Sequence, residues 1–347
     1  MLQLGLVLGY SGRDFAIDID LIREAESLGY QSIWTSEAYG SDAVTPAAWI
    51  LAQTERMTVG TALMQMPART PACAAMTAMT LQALSGGRFV LGVGPSGPQV
   101  IEGWHGVAYG KPHERLREYV SIVRRIVARE EPVVHEGMHY AMPYRGTDST
   151  GLGKPLKSII HARHPLPIYT GSVSPAGLRL AGEITDGLFP LFMMPERAHV
   201  YREPLVEGFR RGGHGERREG FAIAPFVDVK IDDDHARALL AVKQSLALYV
   251  GGMGARGRNF YNDYARRLGF GDAAEAIQDR FLSGDKQGAV AAVPDEFADG
   301  IALVGPKAHI RERLAAWKQA EAEGSVTALL LAGAGHEEIR FLAEELL

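Results

Sequence analysis

The spacing of apolar positions along the chain switches repeatedly between short continuous runs and helical repeats. The short runs read as buried strands. They are LQLGLVL from Leu2, QSIWTS from Gln31, MTVGTALM from Met57, RFVLGVG from Arg88, LPIYTG from Leu166, DGLFPL from Asp186, FAIAPFVDVKI from Phe221 and VTALLLAG from Val326. Helical patterns lie between them. Ile19, Ile22, Ala25 and Leu28 repeat at three-residue steps, and Gly29 stops that helix. AVTPAAWILAQTE predicts a helix with Thr45 as N-cap and Pro46 in its first turn. PACAAMTAMTLQALSGG predicts one closed by Gly86 and Gly87, and a basic helix runs from about Glu114 to Arg129. SPAGLRLAGEI, MPERAHVYREPLVEGFRR, DDDHARALLAVKQSLALYV and HEEIRFLAEELL continue the alternation. Eight strand–helix units place the chain in the α/β class as a closed (β/α)8 TIM barrel, ahead of an open doubly wound sheet. Two stretches interrupt the rhythm: residues 130–166, with a hairpin and a Gly/Pro-rich loop, and the helical residues 251–300. Both read as insertions on one domain spanning 1–347.

Composition narrows the class. The 347 residues are 46% hydrophobic and 22% charged, as in ordinary soluble domains. A net charge of -5 argues against a dedicated nucleic-acid binder, and the arginine clusters RRGGHGERR and RLREYVSIVRR read as solvated faces. Cys73 is the only cysteine, which excludes an intrachain disulfide and fits a reducing compartment. No run of eighteen apolar residues occurs and the start lacks a basic leader, so the expectation is a cytoplasmic protein with no membrane partner.

The candidate chemistry begins with GVGPSG, Gly92–Gly97, which has the glycine spacing of a dinucleotide fingerprint. That motif requires a helix to open inside it. Pro95 and Pro98 argue against one here, and EGWHGVAYGKP reads as loop. An NAD dehydrogenase is therefore a distant reading. In a barrel the same residues fall at the C-terminal end of a strand, where active sites are built, and glycines there let a flat ligand approach the backbone.

Several stretches carry a family resemblance over nearly the whole chain: YQSIWTSEAYG, MTVGTALMQMPARTPACAAMTAMTLQALSGGRFVLGVGPSG, GWHGVAYGKPHERLREYV, LPIYTGSVSPAGLRLAGEITDGLFP and VTALLLAG. The chain resembles the luciferase-like flavin-dependent oxidoreductases, and within them the branch using the deazaflavin coenzyme F420. The resemblance implies a barrel, usually dimeric, with a flat tricyclic cofactor across its C-terminal mouth. It implies cofactor contacts at Ser36 and Glu37, at Thr61, Ala62 and Leu63 (with a cis peptide at Ala62–Leu63), at Gly94, Pro95, Ser96, Gly97 and Gln99, and at Gly171, Ser172 and Val173. Ser174 and Pro175 look like a helix start suited to a phosphate. Some relatives use a histidine with a tryptophan or glutamate for proton transfer; those positions here hold Ala38, Asp42 and Gly97.

Each candidate has a plainer reading. Glu37, at a strand end, is either a cofactor contact and catalytic group or a salt-bridge partner. Tyr39 and Asp42 line the pocket or sit in a loop. His105 is either a general acid or a loop histidine bonded to its surroundings. Trp104 reads first as a packing anchor, Glu102 equally as loop carboxylate or proton carrier, and the methionine-rich run LMQMPARTPACAAMTAM as core and pocket wall. The histidines of HEGMHY and IIHARH lack ligand-like partners, so no metal is expected. The reading that results is an F420-dependent oxidoreductase acting on a small molecule, with Glu37, Tyr39 and His105 at the reacting edge and Arg69 or Lys111 steering an anionic cofactor tail. The alternatives are an FMN-dependent monooxygenase and a non-catalytic cofactor-binding barrel. The Ala- and Met-rich helices around PAAWILAQ and CAAMTAMTLQAL suggest a homodimer.

Overall fold

The computed structural model describes residues 2–9 and 13–347. Its strands are β1 (Gln3–Leu8), β2 (Ser32–Thr35), β3 (Thr58–Thr61), β4 (Met64–Gln65), β5 (Phe89–Gly94), β6 (His135–Glu136), β7 (Ala141–Met142), β8 (Ile168–Gly171), β9 (Gly187–Phe189), β10 (Ala222–Ile223), β11 (Phe226–Ile231), β12 (Ala302–Gly305) and β13 (Ala328–Ala332). β1 pairs in parallel with β2 and β13, and the ladder runs on through β3, β5, β8, β9 and β10. The ring closes through one sequence segment that changes partner. Ala222 and Ile223 pair with Gly187 and Leu188, whereas Phe226–Asp228 pair with Leu330–Ala332. The handover falls at Pro225, which has no N–H to give a ladder but accepts from Leu330 N at 3.0 Å. The architecture is the expected (β/α)8 barrel.

Two layers of apolar side chains follow from the strand alternation. Leu4, Leu6, Ile33, Val59, Leu91, Ile168, Leu188, Val227 and Leu329 face the surrounding helices. Trp34, Ala62, Val90, Phe189, Ala224, Ala328 and Leu330 fill the barrel, with Val7, Leu63, Tyr169 and Phe226 packed on them. The ring centroids of Trp34 lie 5.5 Å from Tyr169 and 4.8 Å from Phe189, and Phe189 lies 5.6 Å from Phe226. This aromatic plug is the floor beneath the strands' C-terminal ends.

Two local expectations need correction, one helix shifts its bounds slightly and one strand is new. Thr45 does not cap its helix: Val44–Gln53 begins after Ala43, and Asp42 Oδ1 accepts from both Val44 N and Thr45 N at 2.8 Å. A carboxylate two residues ahead reaches the free N–H groups better than a hydroxyl already inside the helix. The loop after Gly97 contains a short helix, Pro98–Gly103, with Gly97 at its N-cap. Pro98 takes the first helical position, where a missing N–H costs nothing. The basic helix starts at Pro112 and ends at Ala128. Finally, β12 was not foreseen. It pairs only with the overhang of β11, Asp228–Ile231 with Ala302–Gly305, outside the closed ring.

Of the segments read as insertions, 130–166 holds the β6–β7 hairpin, paired antiparallel. Residues 251–300 hold the helices Phe260–Arg267, Gly271–Leu282, Lys286–Ala291 and Asp295–Gly300. Among the described residues no helix is long and apolar enough to cross a membrane.

Candidate active site

The mouth of the barrel is shaped first by a bulge between β3 and β4. Gly60 pairs with Val90 and Met64 with Val93, so three residues on one strand oppose two on the other. The Ala62–Leu63 peptide is cis, as the resemblance implied. Thr61 Oγ1 replaces the lost ladder: it donates to Gly92 O at 2.7 Å and accepts from Gly92 N at 3.0 Å. A Cβ at Gly92 would lie 1.7 Å from Thr61 O, so only glycine fits. Ser36 Oγ donates to Ala62 O at 3.3 Å, tying the end of β2 to the bulge.

The bulge also redirects Leu63. A Cβ at Gly94 would lie 2.5 Å from Leu63 Cδ1, and one at Gly171 3.0 Å. The room these glycines leave is taken by Leu63. Its side chain covers the space these glycines leave over β5 and β8.

Glu37 is held on several sides. Its carboxylate receives Arg69 Nη1 at 2.8 Å and Gln65 N at 3.2 Å, and its side chain is only 7% exposed. Arg69 also lies 3.7 Å from Asp42, so it is not free to steer an anionic tail. Burying that guanidinium without a counter-charge would be costly, and Glu37 supplies it. The plainer salt-bridge reading of Glu37 thus describes its contacts. Gln65, which the sequence did not single out, links the pair to His105. Its amide nitrogen donates to Glu37 O at 3.1 Å and Ala38 O at 2.9 Å, leaving Oε1 to face His105 Nε2 at 2.7 Å. Because Oε1 can only accept, His105 Nε2 is the donor in this contact, and in the neutral ring Nδ1 is then the acceptor. Tyr39 stands apart, 68% exposed.

The β5 loop is fixed from the following segment. Tyr109 OH donates to Ser96 O at 3.1 Å, and Tyr109 N donates to Glu102 Oε1 at 3.2 Å. Ser96 itself has φ of 58°, in the left-handed region. Gly97 leaves room for the Gln99 side chain, since a Cβ there would lie 3.1 Å from Gln99 Oε1. Pro95 completes the turn between Gly94 and Ser96.

At the end of β8, Ser174 caps the helix Pro175–Ile184 and accepts from Gly177 N at 3.2 Å, as the sequence suggested. Ser172 Oγ accepts from Ser174 N at 3.2 Å. Val173 is buried, and its carbonyl accepts from Arg267 of the 251–300 segment. Burial holds the Arg267 pKa below the usual guanidinium value, with nearby Tyr264 opposing the shift. This arginine, with the helix start and two serines, makes the electropositive end of the mouth.

Asp228 is the second residue missed. It follows Phe226 by two along β11, so it shares the lumen side, and it lies in register with Ala332 at the C-terminal end of β13. Among the described residues its carboxyl has no hydrogen-bond or ion-pair partner, and burial raises its pKa. In the sequence it is one acid within the apolar run FAIAPFVDVKI. Only the orientation of β11 shows that it points to the mouth.

The structure therefore brings Ser36, Glu37, Thr61, Ala62, Leu63 and His105 into one cluster, with Gly94 and Gly171 under Leu63. The Ser96–Gln99 loop is held by a separate set of contacts.

A family model described as luciferase-like monooxygenase matches residues 6–324. The chain belongs to this luciferase-like family. Among its relatives, a Mycobacterium tuberculosis protein named "Putative coenzyme F420-dependent oxidoreductase" is 44% identical over 99% of this chain and 98% of its own. An F420-dependent glucose-6-phosphate dehydrogenase of Kineococcus radiotolerans is 30% identical over 67% of this chain and 71% of its own. The solved structure of the coenzyme F420-dependent tetrahydromethanopterin reductase from Methanopyrus kandleri superposes with a TM-score of 0.76, covering 99% of this luciferase-like chain and 98% of that one. At 21% identity that likeness concerns the fold.

Proposed function

We propose that this protein is an F420-dependent oxidoreductase that passes a hydride between the deazaflavin and a small organic substrate. The observation that carries the reading is the bulged mouth, with Leu63 laid over Gly94 and Gly171 between the Ser36 edge and the Ser172–Ser174 helix start. The full-length relative named for F420 supports the choice of cofactor. When bound, the deazaflavin supplies hydride chemistry, and the protein supplies position and electrostatics.

The residues fit such a group. Leu63, packed over the buried Ala62, offers an apolar surface. The Pro175–Ile184 helix start, Ser172, Ser174 and Arg267 suit a phosphate in the tail. Pro95, Ser96, Gly97 and Gln99 form the rim between those ends. On the reacting side, Asp228 is the acid poised to give up or take a proton, because burial favours its neutral form. His105, with Nε2 committed to Gln65, offers Nδ1 to a substrate donor. Glu37 acts as a positioning residue, fixing Arg69 and Gln65 and through Gln65 the His105 ring. Tyr39 is a rim residue open to contact with a bound substrate.

Parallel fluorescence titrations with F420 and FMN test the cofactor. Tighter binding of F420 is the expected result. Equal or tighter binding of FMN, followed by oxygen consumption with reduced FMN, would favour the monooxygenase reading. F420 binding without hydride exchange to any acceptor would favour a cofactor-binding barrel.

A further inference from the structure

Away from the mouth, three side chains from three helices converge. His235 opens the helix His235–Ala247, Asp299 lies in Asp295–Gly300, and His309 lies in the first turn of Lys307–Ala322. His235 Nε2 is 3.0 Å and His309 Nε2 2.7 Å from the same oxygen, Asp299 Oδ1. The two rings lie 4.3 Å apart at 47°. We propose that His235, Asp299 and His309 form a binding site for one divalent transition-metal cation of the zinc class, which staples the end of the 251–300 segment to the helices His235–Ala247 and Lys307–Ala322.

The ligand chemistry is suitable: two imidazole nitrogens and one carboxylate oxygen match borderline cations such as zinc, with a fourth position for water. The three candidate ligand atoms all lie within 4.8 Å of one another. Ligands at about 2.0–2.1 Å around a tetrahedral ion stand about 3.3 Å apart. The two nitrogen–oxygen distances therefore need to open by only a few tenths of an ångström, which small side-chain rotations supply. Both imidazoles must then present Nε2 as acceptor, which needs only a change of tautomer. Side-chain exposures of 35%, 21% and 27% for His235, Asp299 and His309 leave one side open for ion entry and a water ligand.

The surroundings support the carboxylate from behind. Arg313 Nε makes no hydrogen bond and lies 3.7 Å from Asp299 Oδ2, the oxygen turned away from the histidines. A cation beside a metal site is unfavourable by itself. Arg313, however, is paired with Glu196 through Nη1 and donates to Gly300 O at 3.1 Å, so much of its charge is already compensated. Support of a ligating carboxylate by its other oxygen is a recurrent feature of metal sites. Gly305, at φ 111°, gives the His235 ring its place: a Cβ there would lie 2.8 Å from His235 Cδ2. The sequence expectation of no metal considered other histidines. His235 and His309 are separated from Asp299 by 64 and 10 residues, a spacing that matches no local metal motif.

The test uses tag-free, chelator-treated full-length protein titrated with Co2+ and followed by visible absorption, with Zn2+ as competitor. The expected result is saturation at one equivalent with the intense bands of a four-coordinate site, displaced by zinc. Zinc should also raise the melting temperature. Asp299→Asn, which keeps the side-chain shape, should weaken binding at least tenfold, and His309→Ala should abolish the bands. Circular dichroism checks that both variants fold. No stoichiometric cobalt binding, or binding unchanged in both variants, overturns the proposal. Cofactor titration of the same samples is a separate measurement, so neither result depends on the other.

Discussion

Asp228 and Glu37 are both acids near the barrel mouth, and their surroundings give them opposite character. Glu37 is met by a guanidinium and a backbone N–H, whereas Asp228 meets neither. Asp228 with a raised folded-state pKa binds its proton more tightly folded than unfolded. Its ionisation therefore costs stability as pH rises from the unfolded value, about 3.9, through the folded one. Asp228→Asn should raise the melting temperature at pH 7–8, and the gain should vanish near pH 3, where both forms are neutral. A melting temperature that falls at pH 8 would show that the carboxylate is compensated. On the present reading the same variant should slow hydride transfer while leaving F420 affinity nearly unchanged. Glu37→Gln removes the charge facing a largely buried Arg69 and should cost about 1–3 kcal/mol in urea denaturation. A variant that lost turnover at full stability would instead mark Glu37 as a catalytic group.

At the scale of elements, the bulge between β3 and β4 is held by one hydroxyl. Thr61 Oγ1 serves both the N–H and the C=O of Gly92. Thr61→Val keeps the shape and removes both bonds, leaving two buried backbone groups unpaired. A loss of about 2 kcal/mol or more is expected in chemical denaturation, with cofactor affinity falling in parallel because Leu63 follows the bulge. Unchanged stability would mean that water replaces the hydroxyl. The helix Pro175–Ile184 supplies a second case. Ser174→Ala removes the cap on Gly177 N and should cost about 1 kcal/mol, with a measurable loss of F420 affinity if the tail phosphate sits there.

On the whole molecule, the helices Val44–Gln53 and Pro71–Ser85 carry large apolar side chains on the surface: Trp49 is 56% exposed, and Met76 and Leu84 are exposed with it. Large apolar side chains left exposed on two helices that follow one another in the chain favour association where they form a common face. The occupant we propose is a second copy of the chain, and light scattering at micromolar concentration should give a dimer mass. A clean monomer would remove that expectation, and a Trp49→Glu variant should shift a dimer toward monomer.

Apolar patterning already favoured a barrel over an open doubly wound sheet, because eight near-continuous apolar strands separated by amphipathic helices have few other ways to bury both faces of a parallel sheet. The sequence by itself also located the Ser174 cap and the Gly29 and Gly86 stops, which are local in chain and in space. The bulge position came from resemblance, not from the residues alone. What the sequence left open depends on contacts between residues far apart in the chain. Gln65 bridging Glu37 and His105, Arg267 reaching Val173 across 94 residues, and Leu63 covering Gly94 and Gly171 leave no periodic signal. The same holds for β12, whose partner is the overhang of another strand, and for His235 meeting His309 across Asp299. Periodicity reports which face of an element is buried. Which side chains then meet is fixed by how the elements pack, so the chemistry of the mouth was decided only in the folded chain.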